Sequence, residues 1–238
     1  MKKFDLLAEN EGDKARCHDC KEKSCAAAVL SQHEISLIND NRTEKHFKKG
    51  DVILHEGTMI AHIIYLKAGL VKEYVKNADG KEQILQIIMQ YSYLGLPSLF
   101  GDRVNHYSYA ALEDIRVCYI DLNVFNSLIR KNGSFAYEIL VSVSRDSLNN
   151  FHRFMSQAKK KTYGRVADAL LYFATIIYKS YDFEIPFTRQ EFGDLIGIAR
   201  ESTARVLMKF QEEGILTLDG RKITILKPEM LQRISKTG

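Results

Sequence analysis

No run of apolar residues in this 238-residue sequence reaches the ~20 needed to cross a bilayer. The leading residues Met1-Lys2-Lys3-Phe4-Asp5 pass into a charged segment without the apolar centre of a secretory leader. The cytoplasm is therefore the expected compartment, and no membrane is expected among the partners. Four cysteines are too few for a disulfide framework in a chain of this length, which leaves thiol or metal chemistry open. Glycine-rich phosphate loops and Ser–His–Asp or Cys–His arrangements are missing too, so an enzyme is the weaker class. The net charge of +4 suits a nucleic-acid partner but is too mild to establish one. What is left, 45% hydrophobic and 27% charged, is the balance of an ordinary globular protein with two compact domains and a connector.

The most fully specified stretch runs from Thr188 to Leu226. Thr188-Arg189-Gln190-Glu191 has the form of a capping box, which opens a helix whose apolar stripe is Phe192, Leu195 and Ile196. Gly197 ends it where a left-handed residue is needed. A second helix is predicted from about Arg200 to Glu213, stopping at Gly214. Val206, Leu207 and Phe210 share one of its faces, and Arg200, Glu201, Ala204 and Arg205 share the other. Leu216-Thr217-Leu218 and Lys222-Ile223-Thr224-Ile225 then alternate as strands around Asp219-Gly220-Arg221, a hairpin signal. Helix, turn, helix and hairpin in series make a winged helix-turn-helix. Arginine can bond guanine O6 and N7 together, and glutamate can accept from cytosine N4, so the polar face suits a major groove.

The segment Gly197-Ile198-Ala199-Arg200-Glu201-Ser202-Thr203-Ala204-Arg205-Val206-Leu207 resembles the recognition segment of the CRP/FNR family of transcription regulators. The resemblance implies base contacts for Arg200, Glu201 and Arg205, half-sites of the TTGA or TGTGA sort, and double-stranded DNA and RNA polymerase as partners. Ser202, Lys209 and the wing residue Arg221 are candidates for phosphate contacts. Ala199 departs from the cyclic-AMP receptor branch, which carries a capping serine there, so the start of the second helix is expected to be looser.

Three of the four cysteines crowd into Cys17-His18-Asp19-Cys20-Lys21-Glu22-Lys23-Ser24-Cys25. Thiolates at this spacing suit zinc or an iron–sulfur cluster. Cys118 lies in Ile115 to Ile120, which alternates like a strand, and read alone it is a buried small hydrophobe. In the FNR branch an amino-terminal C-x2-C-x5-C group joins one cysteine on a late strand of the roll to hold an oxygen-sensing [4Fe–4S] cluster. The resemblance extends that ligand set to Cys17, Cys20, Cys25 and Cys118, although the front spacing here is C-x2-C-x4-C, one residue shorter. Zinc, a thiol switch and the absence of any cofactor stay open as alternatives.

Between arm and reader, short strand-like runs separated by Gly50, Gly57, Gly69, Gly80 and Gly95 predict an antiparallel β-roll of the jelly-roll type. They cover Asp51–His55, His62–Lys67, Leu70–Val75, Glu82–Ile88, Tyr107–Leu112 and Ile115–Ile120. Ser31 and Glu34 form a capping box ahead of them. Members of the family that bind cyclic AMP carry Gly-Glu and then Arg-Ser in the phosphate segment. The matching Tyr93-Leu94-Gly95-Leu96-Pro97-Ser98-Leu99-Phe100-Gly101 has neither, and Arg103 beyond it is flanked by Asp102 and Val104, so cyclic AMP is not expected. His55, His62 and His106 lack the close His-x-His pair of a metal-binding cupin roll. A small organic ligand in the roll, or no effector, is the alternative to the cluster.

Gly133 to Lys161 has no proline and no internal glycine, and predicts a long helix. Its apolar stripes are Ala136, Leu140, Val143, Ser147, Asn150 and Phe154, and Tyr137, Val141, Leu148, Phe151 and Met155. One face is expected on the roll and the other on a second copy, giving a homodimer that reads a near-palindrome. The expected class is thus α+β: a cysteine-containing arm (1–29), an antiparallel β-roll (30–128), a connecting dimerisation helix (129–161) and a winged helix-turn-helix domain (162–238).

Overall fold

The computed structural model describes Cys20 and residues 23–238. The chain opens with α1 (Cys25–Ala28) and α2 (Gln32–Asp40), the second begun by the capping box in which Ser31 and Glu34 satisfy each other's backbone. Eight strands follow: β1 (Arg42–Phe47), β2 (Val52–Leu54), β3 (His62–Ala68), β4 (Leu70–Lys76), β5 (Glu82–Met89), β6 (Ser92–Leu94), β7 (Ser108–Ala111) and β8 (Ile115–Asp121). A short helix, α3 (Leu96–Phe100), sits between β6 and β7. The strands pair antiparallel in two sheets, β1-β8-β3-β6 and β2-β7-β4-β5. The expected roll is present. Its first strand, Arg-Thr-Glu-Lys-His-Phe, went unread because a run this polar carries no alternation of apolar residues.

Strand alternation sends each sheet's side chains to two different cores. Ile64, Leu66, Val71, Leu94, Tyr109, Ala111 and Val117 meet inside the roll. On the outer side of the first sheet, Ile63, Tyr65, Tyr93, Cys118 and Ile120 pack beneath α1, α2 and the helices that follow the roll. Gly69 joins β3 to β4 at φ +92°, and a Cβ there would lie 2.7 Å from Ile115 Cγ2, so only glycine fits this crossing.

After the roll come α4 (Leu122–Lys131) and the long α5 (Gly133–Lys159). Phe135 and Ile139, which belong to neither stripe read from the sequence, anchor α5 to the core outside the first sheet, and Val143 of the first stripe packs against that core. Most of the large stripe residues face outward: Tyr137, Leu140, Leu148, Phe151 and Phe154 are all at least 60% exposed in the single chain. Among the described residues no helix is long and apolar enough to cross a membrane.

The carboxy-terminal part contains α6 (Thr162–Tyr172), a π-helical turn (Phe173–Ile177), β9 (Asp182–Glu184), α7 (Arg189–Ile196), α8 (Arg200–Glu212), β10 (Leu216–Asp219), β11 (Lys222–Ile225) and α9 (Pro228–Thr237). The hairpin is β10–β11, and β9 extends it to a three-stranded sheet, order β10-β11-β9. A three-residue strand is too short to be recognised from its sequence pattern. The outer face of the second sheet (Leu70, Tyr74, Ile84 and Ile87) joins the core of this part, including Phe173, Phe192 and Leu195. Lys72 Nζ of β4 also bonds Glu191 Oε1 of α7 at 2.8 Å, and Gln83 Nε2 donates to the Asp194 carbonyl.

Candidate nucleic-acid interface and thiol cavity

The interface begins with the crossing of α7 and α8. Thr188 and Glu191 form the capping box that opens α7, and Gly197 closes it at φ +66°. The helices approach so closely that a Cβ on Gly193 would lie 2.5 Å from the Ile198 carbonyl oxygen. Thr203, fully buried, donates its hydroxyl to the Ala199 carbonyl at 3.1 Å. Val206, Leu207 and Phe210 are buried beside it. With that face fixed inward, helical geometry turns the opposite face to water.

Arg200, Glu201 and Arg205 are exposed on that face, and Ser202 is half-buried next to them. Arg205 Nη2 donates to Ser202 Oγ at 3.3 Å, so the arginine starts from an orientation along the helix surface. Lys209 lies 3.5 Å from Glu212 Oε2 and 3.8 Å from Glu213 Oε1, contacts that a phosphate would have to displace. Ala199 provides no side-chain cap for α8, as the alanine implies. Arg221 is exposed in the wing. Arg189 Nη2 donates to the Gly220 carbonyl at 2.8 Å and so ties the wing tip to the start of α7. Arg189 was missed as a structural part of this surface because its partner is a backbone group thirty-one residues away.

The second site lies on the helix-covered side of the first sheet. Strand register sets Glu44 beside Cys118, Cys118 beside Tyr65, and Tyr65 beside Tyr93, so one row of side chains crosses β1, β8, β3 and β6. Cys118 is 6% exposed, and the half-buried Cys20 opens on the same cavity of about 50 Å³. Lys23, Ser24, Arg42, Lys67, Tyr65 and Tyr93 complete its polar lining. Ser24 and Tyr93 share a 2.8 Å hydroxyl hydrogen bond, and Ser24 Oγ also accepts from Ala27 N. These contacts fix the start of α1, whose first residue, Cys25, is exposed. Cys17 and His18 lie outside the described residues. Among the described residues no three of the His, Cys, Asp and Glu side chains converge into a metal-binding group, so Cys20 and Cys118 are brought together while Cys25 is adjacent but turned to solvent.

The electrostatics of this cavity are cationic. Arg42 Nη1 lies 3.5 Å from Cys118 Sγ and 3.3 Å from Glu44 Oε2, and Lys67 Nζ lies 2.9 Å from the same Oε2. Burial pushes the Glu44 acid up, but the hydrogen bond and charge of Lys67, with Arg42, outweigh it and hold the group below the ordinary carboxylate range. Burial lifts the Tyr93 phenol to about 12.

Elsewhere in the roll, Glu73 is buried on the inner side of the second sheet, where it accepts from Gln86 Nε2. Burial raises this acid above its usual range. His106 pairs with Asp102 at 3.0 Å, and His62 meets the Tyr119 ring edge-on. Residues 96–100, matched above to a phosphate segment, form α3 with Leu96, Ser98 and Leu99 buried.

Residues 44–132 match the cyclic nucleotide-binding domain family, and residues 164–234 match the Crp-like helix-turn-helix domain. The chain is 26% identical over 235 residues to the fumarate and nitrate reduction regulatory protein of Yersinia pestis, covering 95% of this chain and 93% of that one. It is 25% identical to the regulatory protein HlyX of Actinobacillus pleuropneumoniae, over 90% of this chain and 92% of that one. Its fold resembles that of FixK2 from Bradyrhizobium japonicum, with a TM-score of 0.74 at 20% identity over 83% of this chain and 98% of that one. A CRP/FNR-family transcriptional regulator from Thermus thermophilus is also similar, with a TM-score of 0.68 at 21% identity over 82% and 99% of the two chains.

Proposed function

The chain belongs to the CRP/FNR family of DNA-binding transcription regulators, and from that premise we propose that it is a homodimer reading a palindromic site through α8 under control of a redox-sensitive cysteine centre. The observation that carries the reading is the α7–α8 crossing. Gly193 lets α8 seat its apolar face completely, and this leaves Arg200, Glu201 and Arg205 together in water at the spacing a major groove requires. Arg200 and Arg205 read guanines, and Glu201 accepts from cytosine N4. Ser202, Lys209 and Arg221 contact phosphates and so hold the register without specifying sequence. RNA polymerase is the further partner this role requires.

Dimerisation is supported by α5. Leu140, Leu148, Phe151 and Phe154 form an exposed apolar face that a second copy would cover. Two readers on a twofold axis then meet half-sites one helical turn apart, about 10–10.5 bp.

The control element is a [4Fe–4S] cluster held by Cys17, Cys20, Cys25 and Cys118. Two features of the cavity support this assignment, while Cys25 is turned to solvent and Cys17 lies outside the described residues. Cys20 and Cys118 open on one cavity, and Arg42 and Lys67 line it, as suits a centre made negative by thiolate ligands. Bound there, the cluster supplies redox chemistry that responds to oxygen. The chain's own part is to clamp the arm: Ser24 holds Tyr93, and Cys20 opens on the cavity beside the strand carrying Cys118. Relatives named for fumarate and nitrate reduction support this signal. Cyclic AMP is disfavoured, because the segment 96–100 carries no cationic side chain and the buried Glu73 offers a phosphate no positive charge inside the roll. The role is regulatory and non-enzymatic.

Anaerobically purified protein is expected to carry iron and sulfide and to show charge-transfer absorbance, which Cys20→Ser abolishes. Wild-type protein without iron or sulfide overturns the signal, while a footprint on a palindromic site tests DNA reading independently.

A further inference from the structure

The last turns of α5 carry an arginine in an unusual setting. An arginine on a surface helix ordinarily runs its stem over apolar neighbours and ends in water. Arg153 is half-buried instead, and burial holds its guanidinium below the ordinary arginine range although Tyr172 and Glu73 act the other way. Among the described residues it makes no hydrogen bond and no ion pair. It opens on a cavity of about 210 Å³, walled by Ile87 of the roll, by Tyr172 and Phe173, and by Leu195 and Ile196 of α7. The second cation on the lining is Arg165 of α6. Its Nε and Nη1 donate to the Lys160 and Gly197 carbonyls at 2.8 and 3.2 Å, and its Nη2 is engaged by no described residue. The one acid among the described lining residues, Asp168, is answered from within: it accepts from Ser156 Oγ, Lys160 Nζ and Ser235 Oγ. Burial pushes that acid up, but these three donors outweigh it and hold it below the ordinary carboxylate range. A gap left by imperfect packing would be lined by apolar atoms and by polar groups satisfied elsewhere. A desolvated cation without a hydrogen bond is what such a gap does not need. Arg153 also lies about 200° around α5 from Phe151, so the apolar face offered to a second copy points away from it.

We propose that this cavity is a binding site for a small aromatic carboxylate, held by Arg153 with Arg165 as the second cation and packed against Tyr172 and Phe173. The site lies outside the roll interior and depends neither on the cysteines nor on the DNA reading. The charge of the ligand follows from the guanidiniums, whose planar forks match the two oxygens of a carboxylate. Its size follows from the volume, which is about seven times the ~30 Å³ share of a water molecule and below the about 300–1,000 Å³ of drug-sized pockets. That is room for one ring and its carboxylate, and too little for a nucleotide. Its apolar part follows from the walls, which would strip a hydrated inorganic anion of water without replacing it on most sides. A ligand held there touches the roll at Ile87, the long helix at Arg153 and α7 at Leu195 and Ile196.

The test is isothermal titration calorimetry of the full-length protein, without DNA, against benzoate, phenylacetate and 4-hydroxybenzoate, each beside its uncharged amide, and against inorganic phosphate. At least one of the three carboxylates is expected to bind once per chain, with its amide weaker by about tenfold or more. Arg153→Gln, a change at a half-buried helix position, is expected to weaken that carboxylate by about tenfold or more while the circular dichroism spectrum stays that of wild type. Ala169→Leu adds a side chain at the cavity wall and is expected to remove binding. If Ala169→Leu does not fold, Arg153→Gln decides alone. Failure of all three carboxylates to bind folded wild-type protein, equal affinity for acid and amide, or undiminished binding by Arg153→Gln each overturns the proposal. Phosphate binding as tightly as the carboxylates overturns the assignment to a ring. None of these outcomes alters the reading of α8 or of the cysteines, which are tested separately.

Discussion

The exposed face of α8 and the thiol cavity use the same residue types under opposite solvent conditions. On α8, Arg200, Glu201 and Arg205 stand in water, where their charges are screened and contribute little to folding. At the cavity, Arg42, Lys67 and Glu44 are withdrawn from water, so each depends on the others. Charge and stability are consequently separable on α8 and coupled at the cavity. The long helix α5 runs between them, seated on the roll by Phe135 and Ile139 and presenting Leu148 and Phe151 outward.

The largest effect is expected at that link. Replacing both Leu148 and Phe151 by Glu removes side chains worth about 1.5–3 kcal/mol each when fully buried, and a symmetric interface loses them twice. Sedimentation should show monomers that bind a full palindrome poorly, while the melting of the single chain is little changed. Next comes Phe210→Ala, which deletes a fully buried ring from the core shared by α8 and the second sheet. A loss of about 3–5 kcal/mol is expected in denaturant unfolding. Arg205→Ala, one turn away on the same helix, separates the two roles: unfolding should stay within about 0.5 kcal/mol of wild type. Its discrimination for guanine at one position of each half-site should fall by about 1–3 kcal/mol, read by competition binding.

Much of the reader was legible because its signals are local. Thr188 with Glu191, Gly197, and Asp219-Gly220 each act within a few residues, and the structure shows the capping box, the left-handed turn and the hairpin they specify. The cavity is assembled from residues 20, 24, 42, 67, 93 and 118, brought together by strand register that no single window of sequence records. Cys20 and Cys118 were reached through family resemblance, whereas Arg42 and Lys67 gave no signal. A lone charged residue on a polar strand looks the same whether it faces water or sulfur. The anchor of α5 was missed for a related reason: several apolar stripes fit one helix, and only the roll's position selects Phe135 and Ile139.

The smallest expected effect is a pH signature from one acid on each sheet. Glu44 is held below the ordinary carboxylate range, so its contribution to stability is complete above the unfolded value and is lost as pH falls through the folded one. Glu73 is raised by burial, so its cost appears as pH rises from the ordinary carboxylate value through its raised one. Glu44→Gln should flatten the acid limb of the unfolding profile, and Glu73→Gln should raise stability at neutral pH. Matching profiles for the two variants would contradict these opposite environments.

The reading of α8 is tested most directly by selecting binding sites from random duplex DNA with the purified protein, with Arg205→Ala in parallel. A twofold-symmetric sequence with guanine-containing half-sites one turn apart is expected, and the variant should lose preference at that guanine. Recovery of no symmetric sequence, or recovery of the same sequence with undiminished preference by Arg205→Ala, would contradict it.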